Sequence, residues 1–216
     1  MIGRPTLRAT HAACPLLAAA ALLATLALLA PAGLSGGQTE GGHERPDPPA
    51  ADDRSREREY FSDVELVSQH GASLRFYSDL LQGKTVVINA FFTTCTGVCP
   101  LMSGKLAAIQ EWLGDRMETE VRLLSISVDP ETDTPDRLKA YADRFGARPG
   151  WYFLGGDKQN VDWALSRLGQ YADTPEAHTN VIIVGNEPAR VWRKAFGLAD
   201  AKELIAVLDQ ALTESD

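Results

Sequence analysis

Apolar and polar residues along the chain fall into three regimes. From Ala12 to Leu34 there is no charged residue and the run is mostly Ala and Leu. From Ser35 to Glu59 there is no aromatic or large aliphatic residue at all. From Tyr60 onward, short apolar runs alternate with helical periodicities. Val64–Ser68 and Ser73–Phe76 read as short strands around the turn His70-Gly71. Thr85–Phe92 (TVVINAFF) is almost continuously apolar, the mark of a central strand covered on both faces. A helix follows, with Pro100 in its first turn, Met102, Leu106, Ile109 and Leu113 at helical spacing, and Gly114 as its stop.

The alternation continues to the end. Val121–Val128 reads as a strand, and Thr134-Pro135 opens a helix with Leu138, Tyr141 and Phe145 on one face. Trp151–Leu154 is the next strand, and Asp157 caps a helix carrying Val161, Ala164, Leu165 and Leu168 as far as Gly169. Val181–Val184 and Val191–Phe196 flank the turn residues Gly185-Asn186-Glu187-Pro188 and predict a hairpin. Asp200 and Glu203 form a capping-box pair before a last helix with Leu204, Val207, Leu208 and Leu212 inward. A β-α-β-α-β-α series closed by a hairpin and a helix predicts an α/β sandwich around a mixed sheet. That order is compatible with a thioredoxin-like fold.

Charge sharpens the division. The 216 residues carry 29 acidic and 21 basic side chains, a formal balance of −8. Arg4 and Arg8 are the only charges before Glu40. Without them 19 basic residues face 29 acidic ones, so the rest of the chain stands at −10 and a nucleic-acid partner is not expected. A positive start before 23 uncharged residues is the pattern of a Sec-type signal or an N-in membrane anchor. Ala30-Pro31-Ala32 resembles a cleavage site, yet the run is long enough to span a bilayer, and both readings stand. Cys14 begins the apolar run where a lipidated cysteine would end one, so it reads as a small apolar residue. The expected organisation is a leader or anchor over 1–34, a disordered linker over 35–59, and one folded body over 60–216. In either case the body is exported: anchored through 12–34 at a bacterial inner membrane facing the periplasm or cell exterior, or released into the periplasm. The linker's four Gly, three Pro and eleven charged residues cannot bury enough surface to offset their ordering entropy.

Candidate chemistry concentrates at Cys95-Thr96-Gly97-Val98-Cys99-Pro100, between the carboxyl end of a central strand and the amino end of a helix. Helix-terminal amides favour anions and so favour thiolate. In a helical segment the two cysteines share a face, which permits a disulfide or joint binding of one metal ion. A structural staple is the bland alternative, but so short a loop stabilises by only about 2 kcal/mol. Three intervening residues, against the two of the common thioredoxin motif, count against a simple disulfide exchanger. Of the four histidines, His11 lies in the leader, His43 in the linker and His70 in a turn. His178 remains, just before Val181–Val184; alone it reads as a loop histidine, but in a thioredoxin-like fold its loop lies against the cysteines. Two thiolates and an imidazole suit copper(I), can also hold copper(II), and would equally accept zinc with an open fourth position. Met102 offers a thioether, although its helical spacing points to core packing.

Together, Thr93-Thr94-Cys95-Thr96-Gly97-Val98-Cys99-Pro100, Ser127-Val128-Asp129-Pro130-Glu131-Thr132-Asp133-Thr134-Pro135 and the late His178 resemble the SCO/SenC family of membrane-anchored, thioredoxin-fold copper chaperones. The resemblance implies that Cys95, Cys99 and His178 bind copper. It also implies that the protein assembles the copper centre of a respiratory oxidase subunit, receiving help from a copper donor or thiol reductant. Asp129 is implied to lie near the site, with a plain turn role before Pro130 as the alternative. Two departures stand out: Thr96-Gly97 where many members have Pro-Asp, and Ala177 where many have Asp before the histidine. Glu176 is the nearest acid that could compensate. The alternative function is an exported thiol-disulfide oxidoreductase using Cys95 and Cys99 as its redox pair.

Overall fold

The computed structural model describes residues 53–214. The apolar run 12–34, Cys14, His43 and most of the linker lie outside them. Among the described residues no helix is long and apolar enough to cross a membrane.

A seven-stranded mixed sheet forms the middle layer. Its strands are β1 (Glu65–Ser68), β2 (Ser73–Arg75), β3 (Thr85–Phe91), β4 (Val121–Ser127), β5 (Trp151–Gly155), β6 (Val181–Asn186) and β7 (Val191–Phe196), in the order β2-β1-β5-β4-β3-β6-β7. β3, β4 and β5 run parallel, whereas β6 is antiparallel to β3 and β7 antiparallel to β6. All seven residues of β3 are buried, which explains its unbroken apolar sequence. The helices are α1 (Asp53–Phe61), α2 (Val98–Leu113), α3 (Pro135–Arg144), α4 (Lys158–Arg167) and α5 (Ala201–Thr213).

Strand alternation sorts the core into two halves. Val87 and Phe91 face one side, with Met102, Leu106 and Ile109 of α2, Leu138 and Tyr141 of α3, and Leu204 and Leu208 of α5. Val86, Ile88 and Ala90 face the other, with Val161, Ala164 and Leu165 of α4 and Phe61 of α1. The expected α/β sandwich around a mixed sheet is therefore the observed architecture.

Four local expectations need correction. The helix α1 takes in the last residues assigned to the linker, because Phe61 is buried against Phe76 and Trp192 and so holds this polar segment in place. Phe76–Leu81 forms a π-helical turn that inserts Phe76, Tyr77, Leu80 and Leu81 into the core, where only a strand end had been expected. Thr134 and Asp200 precede their helices as expected, but neither side chain makes a cap hydrogen bond. Asp157 does, accepting from the amides of Gln159 and Asn160.

Candidate metal centre

Register brings three loops to one edge of the sheet. Phe91 of β3 pairs with Ser127 of β4, so the loops that follow these parallel strands leave side by side. β6 runs the opposite way and pairs with β3 from Asn89 and Ile182 onward, so the loop before Val181 arrives at the same edge. This places Cys95 and Cys99, the 128–134 loop, and His178 around one end of β3.

The cysteines differ in environment. Cys99, in the first turn of α2, is 1% exposed, whereas Cys95 in the preceding loop is half-buried. Both are free thiols. Burial pushes the Cys95 thiol up, but a hydrogen bond from Cys99 and the backbone amides of Cys99, Gly97 and Val98 outweigh it and hold it below its ordinary value. The Cys95 sulfur thus sits over the amino end of α2, where unpaired N–H groups favour an anion. Burial pushes Cys99 up to about 12, and its hydrogen bond to Cys95 adds to that, against a smaller opposing effect of the Phe92 amide.

His178 follows a single 3₁₀ turn, Pro175–Ala177. Its Nδ1 lies 2.5 Å from the Pro175 carbonyl oxygen. A carbonyl only accepts, so Nδ1 carries the proton and Nε2 is left with its lone pair. Nε2 faces Cys99 Sγ at 3.9 Å. The ring stands edge-on to Phe92, with centroids 5.6 Å apart. Pinning one ring nitrogen on a carbonyl while the other faces a thiol is how metal-binding histidines are oriented. The donor set therefore fits a soft metal ion. Even so, no group of three His, Cys, Asp or Glu side chains among the described residues is already gathered to hold one. Cys99 meets Cys95 on one side and His178 Nε2 on the other.

The remaining candidates divide. Met102 is fully buried on the inner face of α2 and packs against Gly197, which is the core role. Asp129 organises a turn: its amide donates to Ser127 Oγ, and its carbonyl accepts from Thr132 and Asp133. Its own carboxylate is half-buried and accepts no hydrogen bond among the described residues. His70 is exposed in the β1–β2 turn, as expected. Ala177 and Glu176 are both exposed, and Glu176 makes no contact with the imidazole among the described residues. A groove of about 670 Å³ lined by Tyr60, Phe61, Leu168 and Trp192 shares no residue with this site.

Sequence reasoning passed over Asp133. It is 1% exposed, and its carboxylate accepts from the Thr93 amide at 3.0 Å, from Ser127 Oγ at 2.6 Å and from the Thr93 hydroxyl. The signal was present in the motif Ser127-Val128-Asp129-Pro130-Glu131-Thr132-Asp133, but nothing in the spacing distinguishes its three acids.

Residues 52–213 match the family model described as SCO1/SenC. The SCO1 protein homolog of Bacillus subtilis is 32% identical over 105 residues, covering 47% of this chain and 54% of the relative. This chain spans about half the length of the curated relatives it matches. Among solved structures, ScoI of Bradyrhizobium japonicum with copper bound is similar at a TM-score of 0.57 and 26% identity, over 68% of this chain and 96% of that one. BsSco, described as having a disulfide switch and as a member of the Sco family of cytochrome c oxidase assembly proteins, gives 0.57 and 25%, over 69% and 91%.

Proposed function

The chain belongs to the SCO1/SenC family, and from that premise we propose that it is a copper metallochaperone that serves assembly of a respiratory cytochrome oxidase. Copper is its cargo, held by the Cys95 and Cys99 sulfurs and His178 Nε2. The observation that carries this reading is the imidazole, whose Nδ1 is committed to Pro175 and whose Nε2 faces Cys99 Sγ at 3.9 Å. Two sulfurs and one nitrogen form a soft, low-coordinate set that favours copper(I) and tolerates copper(II). Transfer proceeds by ligand exchange with the copper-centre subunit of the oxidase, whose own ligands replace the three donors one at a time. A copper donor loads the site, and the body works outside the cytoplasm, tethered through residues 12–34 where these are retained.

One observation favours a second reading, thiol-disulfide exchange. The half-buried Cys95 is held toward thiolate by the α2 amides, and the buried Cys99 stands behind it as a protonated thiol. In that chemistry the Cys95 thiolate attacks a partner disulfide and forms a mixed disulfide. Cys99 loses its proton and displaces the partner, which leaves as a dithiol while a Cys95–Cys99 disulfide remains. An external thiol reductant then restores the pair. Replacing His178 with Ala separates the two readings when copper affinity and disulfide-reduction rate are both measured. The chaperone reading expects copper affinity to fall at least tenfold. In exchange His178 assists proton transfer, so wild-type copper binding alongside collapsed reductase activity assigns the site to that chemistry instead.

A further inference from the structure

The buried carboxylate of Asp133 lies outside the three-donor copper set, yet it joins the two motif loops that frame it. One of its acceptor positions takes the Thr93 hydroxyl, and the other takes both the Thr93 amide and Ser127 Oγ. Thr93 lies two residues before Cys95, on the segment that leads out of β3. Ser127 ends β4, and its hydroxyl oxygen also accepts from the Asp129 amide at 3.0 Å. The Asp133 amide in turn donates to the Asp129 carbonyl at 2.9 Å, closing the turn that presents Asp129. A carboxylate removed from water costs several kcal/mol unless its lone pairs are filled, and here three donors fill them. The Cys95 sulfur meets the α2 amides, but its backbone is tied back to β3 only by the bond from its amide to the Phe92 carbonyl, which is long at 3.3 Å.

We infer that Asp133 is the positioning residue of the metal site, a carboxylate that clamps Thr93 to Ser127 and so fixes the cysteine loop against α2 and the Asp129 turn. This deepens the copper reading and rests on it. With the clamp closed, Cys95 stays over the α2 amides and within reach of Cys99. With it open, Cys95 drifts while Cys99 and His178, held by α2 and by Pro175, stay in place. Asp133 touches neither cargo nor thiol and acts only through Thr93.

The test is Asp133→Asn in the full chain, which keeps the shape but removes the charge that strengthens all three bonds, and sets an amide N–H₂ against the Thr93 hydroxyl, which must then accept instead of donate. Copper affinity is expected to fall about tenfold to a hundredfold, the range in which outer partners of metal ligands act. The thiolate-to-copper(II) charge-transfer band should shift or broaden. In the metal-free protein, hydrogen exchange of the 93–97 amides should accelerate while that of β3 stays slow. Thr93→Ser, which preserves both donors, should restore all three readouts to wild type, and Thr93→Val should resemble Asp133→Asn in part. Should Asp133→Asn fail to fold, Thr93→Val and Ser127→Ala each remove a single donor and carry the same test. Wild-type affinity, band and loop exchange in Asp133→Asn, or in Thr93→Val and Ser127→Ala where that variant does not fold, overturns the positioning role. A wild-type protein with no thiolate–copper band overturns the copper reading instead, so the two failures are distinct.

Discussion

The two sulfurs of the site are four residues apart in the chain and shifted in opposite directions from the ordinary thiol value. Cys95 is held below its ordinary value at the mouth of α2, and Cys99, buried beneath it, is pushed up to about 12. At neutral pH the metal-free Cys99 is therefore a thiol, and a metal ion must displace its proton. Apparent copper affinity should rise with pH, by about tenfold per unit from Cys99 alone, because one proton leaves that sulfur per ion bound. Competition titrations between pH 6 and 8 check this, and a flat profile contradicts it. The same shift bears on stability. A thiol whose folded value lies above its ordinary 9.0 stabilises the fold fully below that pH, and the contribution is lost as pH rises toward 12. The urea midpoint of the metal-free protein should fall between pH 9 and 11, and less steeply in Cys99→Ala. At this scale the ligand candidates were legible, since Cys95, Cys99 and His178 each stand in a distinctive local pattern. The Pro175 contact that orients His178 and the Asp133 clamp were not, because both depend on side-chain directions that only the folded loops define.

Among the elements, those with strong periodicity could be read directly: β3, α2 and α4 fall where the pattern put them, and the β6–β7 hairpin forms as expected except that Gly185 and Asn186, read as turn residues, pair with Trp192 and Val191 as the end of β6. Segments whose order comes from tertiary packing could not. α1 is polar up to Glu59 and is fastened at its end by Phe61, 5% exposed, which meets Phe76 and Trp192 edge-on and tilted. Phe61→Ala should cost about 3 kcal/mol, read by chemical denaturation, if that anchor holds α1. The π-helical turn Phe76–Leu81 buries Phe76, Tyr77, Leu80 and Leu81, which share one helical face, but six residues are too short a run for the period to be read from the sequence. At the site edge, α2 approaches the end of β7 through Gly197. A Cβ there would stand 2.6 Å from Met102 Cε and 3.0 Å from the Asn180 carbonyl oxygen. The methionine tip can yield but the carbonyl cannot, so Gly197→Ala should destabilise by about 1–3 kcal/mol. An unchanged melting temperature would mean that the two segments are not in such close contact.

For the molecule as a whole, the described body carries the family match almost end to end, and the polar sequence before Asp53 leads back to the uncharged run 12–34. The topology follows from the sequence because each strand and helix has one apolar face or two, and the sheet sorts them into layers. The convergence of three loops on one end of β3 follows in turn from parallel β3 and β4 and antiparallel β6. The reading of the N-terminal run as a retained anchor predicts that the protein stays with the membrane fraction and keeps its first residues. A soluble protein beginning near Gly33 contradicts it. The central claim is that one copper ion is bound by Cys95, Cys99 and His178. Its most direct measurement is copper(II) titration of the reduced protein followed by absorption. The expected result is one copper per chain with a thiolate-to-copper charge-transfer band that disappears in Cys95→Ser. A colourless protein that holds stoichiometric zinc, or a copper complex indifferent to Cys95→Ser, would contradict it.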